Sequence, residues 1–266
     1  MPCLPSEASG IIYYLHILSK MMKLAVLFLM GILQFSAFAQ PVYRMVNISP
    51  DIQLIKISEH VWVHISWSEV SGYGRTPANG LIFVQGKEAM VFDSPWNDAL
   101  TKDLFSWITD SMKLKITGFV PNHWHSDCMG GLKFIQSQKI KSYANQMTID
   151  LAKTKKLPLP DQGFKDSLQL KLGDKFICCY YLGAAHSMDN IVVWIPSEKI
   201  LFPGCMVKSM EARDLGNTAD GDLTAYPKTI EKVGKKFPDA KNVIPGHGPF
   251  GGMELIWHTM ELSSKK

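Results

Sequence analysis

The chain has 266 residues, 46% hydrophobic and 20% charged, which is enough apolar material for a substantial core at ordinary globular usage. That composition excludes a disordered tail and a fibrous repeat, and no period of twenty to fifty residues marks a solenoid or a propeller. The formal charge is +4, with basic residues in nothing longer than pairs such as Lys155-Lys156, so no nucleic-acid partner is expected.

At the N-terminus, Lys20 and Lys23 precede an apolar run over residues 24–33. Gln34-Phe35-Ser36 and the small-x-small triplet Ala37-Phe38-Ala39 follow, which is the order of a secretory signal peptide. Cleavage after Ala39 would put Gln40 first and leave residues 40–266 as one domain, with residues 1–20 reading as upstream sequence before a start at Met21 or Met22. The apolar run is shorter than the ~20 residues of a spanning helix, so no stable membrane insertion is expected after processing. Export implies the periplasm, an oxidising compartment, yet only Cys128, Cys178, Cys179 and Cys205 remain after cleavage. Adjacent Cys178 and Cys179 would face opposite sides of a strand and make a poor disulfide. Free thiols in such a place invite a metal reading.

Period-2 alternation predicts paired strands at residues 53–58 and 61–66, split at Glu59-His60, and at 80–84 and 89–92 around Gly86-Lys87. Leu100, Leu104, Trp107 and Ile108 have helical spacing and predict a helix over 98–112, followed by a strand at 116–120. Helices are expected at 132–138, 148–155, 225–236 and 253–263. Strands are expected at 176–182, 190–195, 199–202 and 242–244. Hairpins lead in each half and helices follow, with no Pro/Ser-rich linker between. An α/β (α+β) domain of two packed sheets with helices outside is the expected architecture.

The segment Pro121-Asn122-His123-Trp124-His125-Ser126-Asp127-Cys128 carries two imidazoles and a carboxylate at i, i+2 and i+4 just past a strand. In extended backbone these would project to one side, the geometry of a metal site. Three more donors also follow predicted strands: His186 after Gly183-Ala184-Ala185, Cys205 after Gly204, and His247 within Pro245-Gly246-His247-Gly248. Each has an ordinary reading, as a hydrogen-bonded loop histidine or a buried thiol, but six such donors all placed after strands point to metal. His60, His64 and His258 fall in a turn, a strand and a helix and read as structural. Gly246-x-Gly248-x-x-Gly251 matches a dinucleotide fingerprint, but the acidic residue wanted about 20 positions on within a βαβ unit is not met. These glycines read instead as a tight turn around His247.

On these residues the sequence resembles the metallo-β-lactamases of subclass B1, the carbapenem-hydrolysing type with a His-Trp-His-x-Asp-Cys motif. The resemblance runs from about Ile48 to the C-terminus and includes Gly204-Cys205-Met206-Val207-Lys208 and Leu215-Gly216-Asn217. It implies an αββα sandwich holding two Zn2+ ions at one edge, the first by His123, His125 and His186 and the second by Asp127, Cys205 and His247. It implies hydrolysis of the amide of penicillins, cephalosporins and carbapenems by a zinc-bound hydroxide, conferring antibiotic resistance. Asp127, Lys208 and Asn217 are expected in catalysis. Lys208, Asn217, Tyr73 and His186 are expected to bind substrate, with residues 68–77 as a mobile loop over it and Asp93 as a support behind the ligands. Small β-lactams are the expected partners and a monomer the expected state. The sequence departs from many members in having Cys128 where Arg is common, Tyr73 where a larger aromatic is common, and Pro203 where Gly is common. Zinc hydrolases of thioesters, lactones or phosphodiesters, and a zinc-storage protein of the envelope, are the competing expectations.

Overall fold

The computed structural model describes residues 15–23 and 43–265. Residues 15–23 are an exposed helix carrying Lys20 and Lys23. The apolar run, the Ala37-Phe38-Ala39 site and Gln40 lie outside the described residues. No helix among the described residues is long and apolar enough to cross a membrane.

From Tyr43 onward, alternation and burial together build two sheets. The first has six strands in the order β1 (Arg44–Ser49), β2 (Ile52–Lys56), β3 (Val61–Val70), β4 (Gly74–Gln85), β5 (Glu88–Phe92) and β6 (Lys115–Val120). All neighbours are antiparallel except β5 and β6. The second sheet runs β13 (Asn242–Pro245), β12 (Ile200–Gly204), β11 (Val192–Ile195), β10 (Lys175–Tyr180) and β9 (Ser167–Leu172), with only β12 and β13 parallel. A two-stranded ribbon, β7 (Tyr143–Asn145) with β8 (Gln162–Phe164), lies beside β6, to which the Phe119–Ser142 bridge joins it.

Side chains alternate faces along a strand, and here both faces are covered. Val61, Val63, Leu81, Phe83, Met90 and Phe92 point between the sheets onto Ile177, Val193, Ile195, Ile200 and Phe202. Their neighbours Trp62, Ile82, Ala89 and Val91 turn outward onto Leu104 and Phe105 of helix α1 (Asp98–Ser106), onto Ile108 just beyond it, and onto Leu132 and Ile135 of α3 (Leu132–Ser137). On the opposite side Val192, Leu201 and Val243 meet Tyr226, Ile230 and Val233 of α5 (Tyr226–Lys236), beside α6 (Glu254–Ser264). The layers are therefore helix, sheet, sheet, helix, the αββα sandwich expected. At roughly 1.5–3 kcal/mol per fully buried aliphatic or Phe side chain, all three layers contribute substantially to the burial energy.

Most predicted elements occur within two residues of their expected limits. The helix expected over 98–112 does not run through: α1 ends at Ser106 and a π-helical turn, Trp107–Ser111, follows. Its wider turn, with the Met112 N–H donating to the Trp107 carbonyl, lets Trp107 meet Trp62 edge-on while Ile108 stays buried. The loop expected over 68–77 is mostly strand. Ser68 pairs with Thr76 and Glu69 with Arg75, leaving only Ser71-Gly72-Tyr73 between the strand ends. Strands β1, β7, β8 and β9 were not expected. Cys128, Cys178, Cys179 and Cys205 are all buried free thiols.

Candidate metal centre

The six donors sit past the C-terminal ends of four strands, at the edge where the two sheets meet. Extended backbone carries His123 out of β6, but the chain then turns into α2 (Ser126–Met129), with His125 at its N-cap position and Asp127 inside it. The expectation that His123, His125 and Asp127 share one face of an extended segment is thus corrected. A single helical turn, whose Met129 N–H donates to the His125 carbonyl, swings the carboxylate round instead. His186 follows β10, Cys205 follows β12 and His247 follows β13. Gly246 permits the last approach: a Cβ there would lie 2.3 Å from the Cys205 sulfur.

Two adjoining groups result. His123 Nε2 and His186 Nε2 lie 2.9 and 3.3 Å from His125 Nδ1. Asp127 Oδ2 lies 3.2 Å from Cys205 Sγ and 3.1 Å from His247 Nε2, and Cys205 and His247 are 3.3 Å apart. His123 Nε2 and Asp127 Oδ1, 3.9 Å apart, join the groups. The outward nitrogens set the tautomers. His125 Nε2 meets Asp220 Oδ2 at 3.0 Å, His247 Nδ1 donates to the Pro77 carbonyl at 2.6 Å, and His123 Nδ1 faces Cys128 Sγ at 3.1 Å. With outer nitrogens protonated, the inner nitrogens of His123 and His125 are left as lone pairs, as metal-binding imidazoles require, and His247 would join them once an ion displaces its inner proton.

Burial pushes the His123 pKa down to about 3 and that of His186 well below the ordinary range, keeping both neutral. Burial would raise Asp127, but the hydrogen bond from His247 and the charge of that ring hold it far below the usual carboxylate value. The Cys205 thiol is lowered to about 7, chiefly by a hydrogen bond from Cys128, so thiolate is accessible near neutrality. His247 is drawn upward against its burial by Cys205 and Asp127, a negative environment suited to a cation.

A cavity of about 610 Å3 opens over both groups, walled by Trp96, Trp124, Val70, Tyr73 and Leu157 and reached by His186, Lys208 and Asn217. Lys208 is folded back, its Nζ donating to the Cys205 carbonyl at 2.8 Å, and burial lowers its pKa. Asn217 accepts the Ala219 N–H at 3.1 Å on a loop, and Tyr73 is exposed at the tip of the β3–β4 hairpin. Asp93, at φ 57°, accepts the Asn122 N–H from behind the His123 segment.

Three supporting residues were not expected. Asp220 lies behind His125. Buried Asn79 of β4 donates to the Pro245 and Gly248 carbonyls, both at 2.8 Å, and clamps the His247 loop across the sheets. Asp189 accepts the Trp124 N–H. The Asp220-Gly221 pair reads only as a turn in sequence, and nothing local marks Asn79. Asp189 had a weak signal, standing three residues after His186.

An αββα sandwich gathering four imidazoles, a thiol and a carboxylate at one sheet edge beneath an open cavity defines a metal-dependent hydrolase. No family model matches the chain. The type 2 metallo-β-lactamase of Bacteroides fragilis is 51% identical over 219 residues, covering 82% of this chain and 88% of that one. The solved metallo-β-lactamase of Pontibacter korlensis has a TM-score of 0.78 at 36% identity, over 81% of this chain and all of that one. FIM-1 of Pseudomonas aeruginosa, solved in a mono-zinc form, has a TM-score of 0.76 at 30% identity, over 82% and 96%. The chain belongs to the metallo-β-lactamase family, subclass B1, and hydrolyses the β-lactam amide bond with a metal cofactor.

Proposed function

We propose that the metal is zinc and that two ions bind, one to His123, His125 and His186 and one to Asp127, Cys205 and His247. The observation that carries this reading is the pair of converging donor groups, with outward partners on His125, His247 and His123 leaving their inner nitrogens facing the site. Three imidazoles suit a site with an open position, and a thiolate beside a carboxylate suits a second borderline-soft ion. The FIM-1 relative, solved in a mono-zinc form, supports the choice of zinc. When bound, the ions supply Lewis acidity and lower the pKa of bound water toward about 7.

The chain's own groups do the rest. Asp127, with Oδ1 toward His123 and Oδ2 among Cys205 and His247, orients the attacking water between the groups. Lys208 swings from the Cys205 carbonyl into the cavity to meet the carboxylate carried by most β-lactams. Asn217, whose Oδ1 is taken by Ala219, turns its amide N–H toward the lactam carbonyl oxygen. Tyr73, Val70 and Trp96 cover the apolar substituents and thin the water around the amide. Penicillins, cephalosporins and carbapenems are the proposed range, in the periplasm, by a monomer whose first residue is Gln40.

Purified protein turning over a chromogenic cephalosporin, losing that activity to a chelator and regaining it with Zn2+, with two zinc per chain by elemental analysis, is the expected result. Turnover unaffected by the chelator would overturn the reading, and one zinc at saturation would overturn the count.

A further inference from the structure

Asp189 is fully buried, and no ion pair among the described residues includes it. A carboxylate in that position must be satisfied by hydrogen-bond donors alone, and the donors come from three separate segments. The Trp124 N–H reaches Oδ2 at 3.0 Å, the Thr148 hydroxyl of α4 (Gln146–Thr154) reaches the same oxygen at 2.7 Å, and the Ser187 hydroxyl bonds Oδ1. Trp124 is the residue between His123 and His125, and Ser187 follows His186. One side chain therefore ties the two segments bearing the three imidazoles to each other and to a helix outside the site.

We infer that Asp189 is the positioning residue of the three-imidazole group, holding His186 in register with His123 and His125 without touching metal or substrate. This rests on the reading that these three histidines hold one ion. At the metal edge the two segments meet through imidazole contacts, which dissolve as soon as the rings turn, and behind it through one backbone bond, the Ile191 N–H donating to the Asn122 carbonyl at 3.0 Å. The carboxylate supplies a backbone-level link that survives ring rotation, so the site is already assembled before an ion arrives.

The test titrates chelator-stripped, full-length protein with Co2+. The visible ligand-field bands report the imidazole group, and the thiolate-to-cobalt charge-transfer band reports Cys205. Asp189→Ala removes every acceptor. Asp189→Asn keeps one acceptor oxygen in a side chain of equal size, and it carries the test should the Ala variant fold poorly. Loss of an outer partner of a metal site typically weakens affinity 10–100-fold. That loss is expected at the imidazole group in Asp189→Ala and a smaller one in Asp189→Asn, with the charge-transfer titration unmoved and Thr148→Val close to wild type at both. Variants that lower only the melting temperature, or weaken both groups equally, would show a purely structural residue and overturn the inference. Wild-type protein that shows no imidazole-group bands would overturn the three-histidine reading itself, and the inference with it.

Discussion

Lys208 is half-buried with its ammonium on a backbone carbonyl, an arrangement that holds a charge ready without committing it. A charge-assisted contact to a substrate carboxylate contributes about 1.5–3 kcal/mol, so Lys208→Ala should lower kcat/KM roughly ten- to a hundredfold with metal content unchanged. Steady-state kinetics on several carboxylated substrates, beside elemental analysis, checks this; unaltered kinetics would make Lys208 a packing residue. His64 is a different kind of buried group. Its Nε2 lies 3.0 Å from the Asp93 carbonyl, its Nδ1 has no partner, and burial drives its pKa down to about 4. Between pH 6.5 and about 4 the unfolded chain binds a proton at this residue that the folded chain does not. Stability is therefore untouched above that window and falls as pH drops through it, by on the order of 3 kcal/mol in all. His64→Gln should flatten the melting temperature of chelator-treated protein against pH between 7 and 4.5. Equal slopes in the two proteins would refute the assignment.

The β3–β4 hairpin shows how an element serves the site. Its inner half is fixed between layers through Val61, Val63, Leu81 and Phe83, while its outer half leaves the core and carries Tyr73 beyond it. Gly72 at φ 82° and Gly74 at φ 69° make the sharp turn, since both lie where a Cβ is strained. Just behind the tip it is braced by Arg75, which pairs with Asp51 at 2.6 Å and lies over Trp67. A braced hairpin with an exposed tip adds ground-state contact and leaves the chemistry alone. Tyr73→Ala should accordingly raise KM severalfold for substrates with aromatic substituents while kcat and zinc content hold. A fall in kcat at constant KM would place Tyr73 in the transition state instead. The π-helical turn after α1 and the short helix α2 carry the same lesson, because each bends the chain where packing or the site demands and the repeat period of the sequence does not.

Across the whole molecule, each donor group draws on both halves of the chain. His123, His125 and Asp127 follow the first sheet, whereas His186, Cys205 and His247 belong to the second. An ion in either group therefore ties the halves together, and the four cysteines among the described residues are free thiols, so no disulfide among those residues adds to that link. Ligand present at a thousand times its Kd stabilises by about 4 kcal/mol, and each kcal/mol shifts Tm by roughly 2–4 °C in a domain of this size. Scanning calorimetry should show the chelated protein melting about 10 °C below the zinc-loaded one, and coincident melting curves would mean the ions do not span the halves.

Residue type and local spacing determined a large part of this. Alternation located the central strands because side-chain direction is a local property of extended backbone, and strand-terminal glycines flanked Cys205 and His247 because a crowded site needs missing Cβ atoms. The six donors were legible for the same reason. What the tertiary structure alone decided is partnership over distance. His186 meets His125 across 61 residues, Asp220 backs His125 across 95, and Asn79 holds the Pro245 carbonyl across 166. No period links such positions, since the contacts exist only after two sheets have closed on a shared core. The exposed edge strand β1, which carries little of that core, and the left-handed backbone at Asp93 follow from that closure and from no pattern along the chain.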